Sequence, residues 1–458
     1  MRSWWPLVAV CLGTFMFLLD TTVLSVALPA IGTGLSAPLS TLSWVADVYT
    51  LVLAVLMLTM GSLADRLGAR RLYLAGLAVF GAASLACGLA WSPMVLVGAR
   101  GVQGVGGAAM AVTAFALIGS VYRGPDLGRA MGVFGAVTGL SAAIGPMLGG
   151  VLTEYLSWRA IFFLNVPLAV ATIALSSRVL EKGRRPAEAR FDLTGVITFA
   201  LGAGALTYGL TAGQQGRAAA LVVAVLALAV FAYAELRSRT PLLDVRLFAR
   251  ASFSAVMACV LASTAAFAAL VYTSVWLQSG LGLGPVRAGL ALMPLALASF
   301  VTSLAGGRRL RGRSPRALLA WGLLLSGIGC ALQAVPGANA SAATLAVGLA
   351  VTGVGVGLGG PAMGAAVFAA LPPERSGMAA GAMTTFRQLG QTLGVAVFGV
   401  LFQRHGAGTS GGLDRVMIAA AVIGVVGSVL ARAFVPRPAV ERAAAPPPRD
   451  LTGPGAQR

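Results

Sequence analysis

Charge is scarce in this chain. Of its 458 residues only 10% are Asp, Glu, Lys or Arg, against 58% hydrophobic. A soluble domain carries about 25% charged residues, so a water-facing globule is excluded. Imidazole and ammonium are nearly absent, with His405 the one histidine and Lys182 the one lysine. The four cysteines, Cys11, Cys87, Cys259 and Cys330, fall singly in separate apolar runs with no CxxC pair. That pattern argues against zinc, haem and iron–sulfur centres and against a disulfide framework. No phosphate-cradling GxxxxGK[ST] loop is present. Acids and histidines form no cluster that could bind a metal or serve as a general base, which argues against a membrane-embedded transferase. No cofactor and no metal are expected.

What the chain has in abundance is apolar sequence, with a mean hydropathy of +0.87. Fourteen apolar runs lie between residues 5 and 434, most near the ~20 residues that cross a bilayer as helix. The first could pass for a signal peptide, but its length, its internal Asp20 and the runs that follow favour an uncleaved first span. The net charge of +19 is unevenly placed. Twenty basic residues sit in the six connections after even-numbered runs, and five in the seven after odd-numbered runs. Positive charge is retained on the cytoplasmic side, so both termini are expected in the cytoplasm. The excess charge reads as topology and lipid contact, not as a nucleic-acid surface.

Two long basic connections, Arg178 to Asp192 and Glu235 to Phe253, punctuate the chain. They predict an all-α membrane protein divided at 1–190 (six helices), 191–250 (two additional helices and a linker), 251–435 (six helices) and 436–458 (a Pro/Ala-rich disordered tail). The short basic connection Gly306 to Arg316 reads as a worn copy of Gly61 to Arg71, as in transporters built from repeats around a midplane site.

Polar residues inside the apolar runs carry the chemistry. "LLDTTVLSVALPAIG" (Leu18 to Gly32) places Asp20 in the first span, and an intramembrane acid faces the protein interior and serves transport or proton relay. "LVGARGVQGVGGAAM" (Leu96 to Met110) places Arg100 and Gln103 one turn apart on one helix face. Counted from Pro29 and Pro93, Asp20 and Arg100 lie roughly 13 and 10 Å deep at 1.5 Å per residue, so a contact between them is geometrically possible. Asp47 is a second acid, readable either as a proton carrier or as a charge at a helix end. "GSLADRLGARR" joins two glycines, Gly61 and Gly68, to Asp65, Arg66, Arg70 and Arg71. The glycines permit a sharp turn and close helix approach, and the acid can pair across a bundle seam. "GAVTGLSAAIGPMLGG" carries small-residue stripes, Gly135 and Gly139 with Ala143, then Gly145 with Gly149, and a helix-bending Pro146. Phe17, Tyr49, Phe134, Tyr208, Tyr272 and Trp276 are candidates for stacking on a flat apolar compound, and Arg387 stands about 16 Å inside its span without an evident partner in sequence.

Taken together, "LDTTVLSVALP", "GSLADRLGARR", "RGVQGVGGA", "GLSAAIGPMLGG", "SWRAIFFLNVP" and "GMAAGAMTTFRQLGQTLGVAV" follow one another over nearly the whole chain. In this order they resemble the major facilitator superfamily, and within it the drug/proton antiporter family with fourteen spans. The resemblance implies the major facilitator fold, two six-helix bundles plus two central helices. It implies a proton-driven exporter of small amphipathic compounds in a bacterial cytoplasmic membrane, with protons, a small-molecule substrate and lipid as its partners; a monomer is expected, though not from the resemblance. Asp20 would then be the alternately protonated acid and Arg100 its proton-transfer partner. Gly61, Asp65, Arg66, Gly68, Arg70 and Arg71 would govern the conformational switch. Gly139, Gly145, Pro146, Gly149 and Gly150 would form the antiporter motif. Phe17, Gln103, Tyr208, Tyr272, Trp276 and Arg387 are expected to line the substrate cavity. Members exporting divalent cations carry a further membrane acid in the second half, which runs nine to fourteen lack, so a large dication is not the expected substrate. The alternatives are an inward symporter and a dedicated exporter of an endogenous metabolite or lipid.

Overall fold

The computed structural model describes residues 4–37, 39–123, 125–181, 192–211, 216–238, 241–309, 314–334, 341–369, 376–404 and 410–435. The tail at 436–458 and most of the linker at 182–191 fall outside them. In hydrocarbon each backbone polar group must be satisfied within its own segment, and a helix does this. The described residues accordingly form helices and no strand. The first six are α1 (Trp5–Leu35), α2 (Leu39–Leu67), α3 (Ala69–Gly88), α4 (Pro93–Val121), α5 (Pro125–Tyr155) and α6 (Ala160–Val179). A pair follows, α7 (Leu193–Thr211) and α8 (Arg217–Arg237), then a 3-10 turn at Val245–Ala249. The rest are α9 (Ala251–Phe267), α10 (Ala269–Ser279), α11 (Pro285–Arg309), α12 (Pro315–Gln333), α13 (Ala342–Ala369), α14 (Ser376–Arg404) and α15 (Ser410–Phe434). Local signals set several starts: Ser92 accepts from Val95 N–H ahead of Pro93, Ser314 accepts from Ala317 N–H ahead of Pro315, and Asp192 accepts from Gly195 N–H.

Two expectations change. The "GSLADRLGARR" stretch is not a loop: α2 runs to Leu67, α3 begins at Ala69, and Gly68 alone makes the corner with φ 88°. That left-handed backbone is open to glycine at little cost, so a one-residue turn suffices. The ninth run is divided at Ala268 into α9 and α10, which continue as one rod. Among the described residues, twelve rods are long and apolar enough to cross a membrane. Of comparable length, α5 and α14 have 31 and 29 residues, and each contributes one side of the seams described next.

The packing repeats. In the first half α4 lies against α2 and α3, α1 against α5 and α6, and α3 against α6; in the second, α13 lies against α11 and α12, α9 against α14 and α15, and α12 against α15. The halves meet reciprocally, α2 on α14 and α5 on α11. Small residues permit this closeness: a Cβ on Gly106 would lie 2.7 Å from Gly76 O, so α3 and α4 touch backbone to backbone. The α7/α8 hairpin docks through α7 against α2 and α14, with Phe199 and Phe231 closing it at 5.3 Å.

Candidate functional site

Asp20 and Arg100 meet. Arg100 Nη1 donates to Asp20 Oδ2 at 2.6 Å, and the two side chains are 2% and 1% exposed. Five helices, α1, α2, α3, α4 and α6, meet around this pair. From α4, Gln103 Nε2 donates to Asp20 Oδ1 at 3.0 Å, while Gln103 Oε1 accepts from Arg100 Nη1 at 2.7 Å. From α6, Asn165 Nδ2 donates to Asp20 Oδ1 at 2.8 Å. From α3, Ser84 Oγ accepts from Asn165 at 3.0 Å and from Gln103 at 3.2 Å, and donates to Phe162 O at 3.1 Å. Arg100 Nε donates to Val45 O of α2 at 3.2 Å, and its guanidinium lies over the Tyr49 ring at 4.1 Å.

Burying two charges costs several kcal/mol per ion and is repaid only where geometry and further hydrogen bonds are favourable. Here both carboxylate oxygens are occupied and the guanidinium has an aromatic face beneath it, a cation–π contact. The carboxylate is the charge that joins α1 to α4 and α6, and neutralising it would leave Arg100 without its counter-ion. Sequence reading reached Asp20 and Arg100. It placed Gln103 in the substrate cavity, whereas the structure puts it inside this network, 0% exposed. Asn165 and Ser84 were missed. A lone Asn in "FFLNVP" was the available signal; Ser84 in "GAASLACG" gave none. Asp47 stands exposed on α2, apart from the network.

A second site lies where the halves meet at the end bearing the basic connections. Asp65, near the end of α2, accepts from Gly377 N–H at 2.7 Å and Met378 N–H at 2.8 Å. A carboxylate thus caps the N-terminus of α14, where unpaired N–H groups and the helix dipole favour an anion. One turn earlier, a Cβ on Gly61 would lie 2.6 Å from Gly377 O and 2.9 Å from Gly381 Cα. Arg70 donates to Ser177 O at 2.7 Å, tying the start of α3 to the end of α6, and Arg71 is exposed. The reciprocal seam closes at the same end: a Cβ on Gly132 would lie 2.6 Å from Ser303 O, and Gly364 faces Met131. Toward the other end of α11, Gly284 and Gly289 have open space beside them. Both seams are therefore shut on the basic side.

The small-residue stripes of α5 separate by face. Gly145 and Gly149 lie on Thr22 and Val23 of α1, just past Asp20, while Gly135 and Gly139 face Ser303 and Ser299 of α11. The side chains of Ala143 and Pro146 lie outside the described residues; Gly150 is half-buried within α5. The expected cavity residues are not brought together. Phe17 packs near Tyr49 at 6.4 Å, and Tyr208 is exposed and stacked on Trp44 at 6.2 Å. Trp276 is buried inside the second half, where Tyr272 donates to Val395 O. Arg387 alone of the group reaches across the seam, its guanidinium over Phe115 of α4 at 5.6 Å.

Two pseudo-repeated bundles meeting at reciprocal seams, with a buried acid–base pair in one of them, define a membrane transporter fold. The chain belongs to the Major Facilitator Superfamily, whose profile matches residues 10–315 and 309–455. It is 34% identical over 401 residues to the multidrug resistance protein Stp of Mycobacterium tuberculosis, covering 86% of this chain and 74% of that one. With the cephamycin export protein CmcT of Amycolatopsis lactamdurans it shares 35% identity over 457 residues, covering 94% and 93%. The puromycin resistance protein pur8 of Streptomyces alboniger is 36% identical, over 86% and 81%. In fold it is similar to the human organic anion transporter MFSD10, with a TM-score of 0.72 at 16% identity over 93% of this chain and 99% of that one. The chain is thus a multi-pass membrane transporter and not an enzyme.

Proposed function

We propose that the chain is a proton-coupled antiporter exporting small amphipathic or hydrophobic compounds across a bacterial cytoplasmic membrane, with its basic face in the cytoplasm. The observation that carries this reading is the Asp20–Arg100 pair, sealed among Gln103, Asn165 and Ser84. Asp20 is too enclosed to be a substrate's counter-ion, so the proton acts through conformation. Protonation from the outer side frees α1 from α4 and α6, the seams rearrange, and the Asp65 cap on α14 is released to open the basic face. Deprotonation into the cytoplasm restores the ion pair. The named efflux and export proteins among the relatives support the direction, and the coupling rests on the geometry.

The test is proton flux in proteoliposomes containing an interior pH dye, with a panel of dyes and antibiotics added to the wild type and to Asp20→Asn. Substrate-dependent flux that disappears in the variant is the expected result. Equal flux in both proteins would move the proton carrier elsewhere.

A further inference from the structure

Arg387 is the charge that this mechanism does not use. It lies at the twelfth of the 29 residues of α14, roughly 16 Å from the basic end at 1.5 Å per residue. Its head group crosses to the Phe115 ring of α4, on the other half, so it faces the seam and not lipid. Phe115 in turn meets Phe134 of α5 edge to face at 4.7 Å. The side chain is half-buried. Arg387 takes part in neither the Arg100–Asp20 nor the Arg129–Asp126 ion pair.

A cation kept at mid-depth without a carboxylate is costly unless something supplies the opposite charge. Asp20 cannot, since both of its oxygens are held within the first half. We infer that the Arg387 guanidinium is the binding site for an anionic group on the exported compound, and that the preferred substrates are amphipathic organic acids. Guanidinium is suited to this: a planar fork of donors matches carboxylate or sulfonate in two bonds and stacks on aromatic faces. The sealed Asp20 offers no competing attraction for a cation. This inference rests on the export reading above and adds the charge of the cargo.

The experiment uses full-length protein in liposomes and xanthene dyes of similar size and opposite charge, carboxyfluorescein and rhodamine 6G, together with the uncharged fluorescein diester. Wild type, Arg387→Lys and Arg387→Gln are compared after gel filtration has shown each to be monodisperse. The expected result is export of the anion in preference to the cation by the wild type. Arg387→Gln loses anion export at least 10-fold with the neutral dye within 2-fold, and Arg387→Lys is intermediate. Export of the cation or neutral dye with none of the anion overturns the inference and leaves the export reading standing. An equal loss for all dyes in Arg387→Gln also overturns it, making the Phe115 contact a structural clasp. No export of any dye by the wild type counts against the export reading and this inference together.

Discussion

Asp65 and Gly377 are 312 positions apart in the chain and joined by a hydrogen bond of 2.7 Å, carboxylate oxygen to backbone N–H. This bond, with its companion from Met378, lets one half of the molecule terminate a helix of the other. The cap bridges the two halves across the shut basic end, so a state open at that end is expected to give it up, and its strength would then enter the equilibrium between the two faces.

Replacing Asp65 by Ala is expected to shift that equilibrium toward a basic-side opening. Loss of an N-cap costs about 0.5–2 kcal/mol, roughly a 2- to 30-fold change in the ratio of states. Spin labels on Arg71→Cys and Arg316→Cys, at the basic ends of α3 and α12, would report it as a growing long-distance population. The four native cysteines are buried, which keeps labelling selective. An unchanged distance distribution would refute the role given to the cap.

Gly61→Val is expected to act in the same direction by a different cause. Its Cβ would meet backbone atoms of Gly377 and Gly381, which cannot turn aside as a side chain does. The same pair of labels should show the short distance nearly lost, and transport should stall with the basic side open. Retention of the short distance would mean that α14 can move over by itself.

Within the first half, Asp20→Ala leaves a fully buried guanidinium without its counter-ion. Removing one partner of such a pair costs about 3–5 kcal/mol, whereas replacing both by apolar groups of similar volume is close to neutral. Thermal unfolding in detergent should therefore rank Asp20→Ala well below the wild type and recover part of the loss in Asp20→Ala with Arg100→Leu. A double variant less stable than the single one would argue against a direct pair.

Asn165→Leu removes two donated bonds, to Asp20 and to Ser84. Hydrogen bonds to charged groups contribute about 1.5–3 kcal/mol, so a clear drop in unfolding temperature is expected, together with slower substrate-driven proton flux. Wild-type stability and flux would place Asn165 outside the coupling machinery.

Exchange of one inward proton for one outward monoanion carries two positive charges inward. An inside-negative potential adds about 2.3 kcal/mol per charge for each 100 mV, so about twice that here. A potassium-diffusion potential with no pH gradient should then drive anion export, and reversing its sign should suppress it. Indifference to potential would count against one-for-one exchange of a proton and an anion.

Periodicity, loop charge and isolated polar residues determined much of this protein before any fold was known. Helices must satisfy their own backbone in hydrocarbon, so apolar runs predict the rods, and arginines retained on one side predict their alternation. Asp20, Arg100 and Arg387 were legible because ionised groups in such runs are too costly to be incidental. Similar depth made the Asp20–Arg100 pair possible, but only the packing of α1 beside α4 made it a contact. The same packing recruited Asn165, a lone amide in an apolar run, and Ser84, whose hydroxyl leaves no mark in composition, and took Gln103 from the cavity into the network. Tyr272 and Trp276 share a helix face with nothing in sequence to say what that face meets; the tertiary structure turns it into the second bundle. Asp65 was legible as an acid able to pair across a seam, but that its partners are the first N–H groups of α14, 312 residues away, was decided only by packing. Depth and charge are properties of a single helix and can be read along it, whereas partnership belongs to two helices and is decided only when they pack.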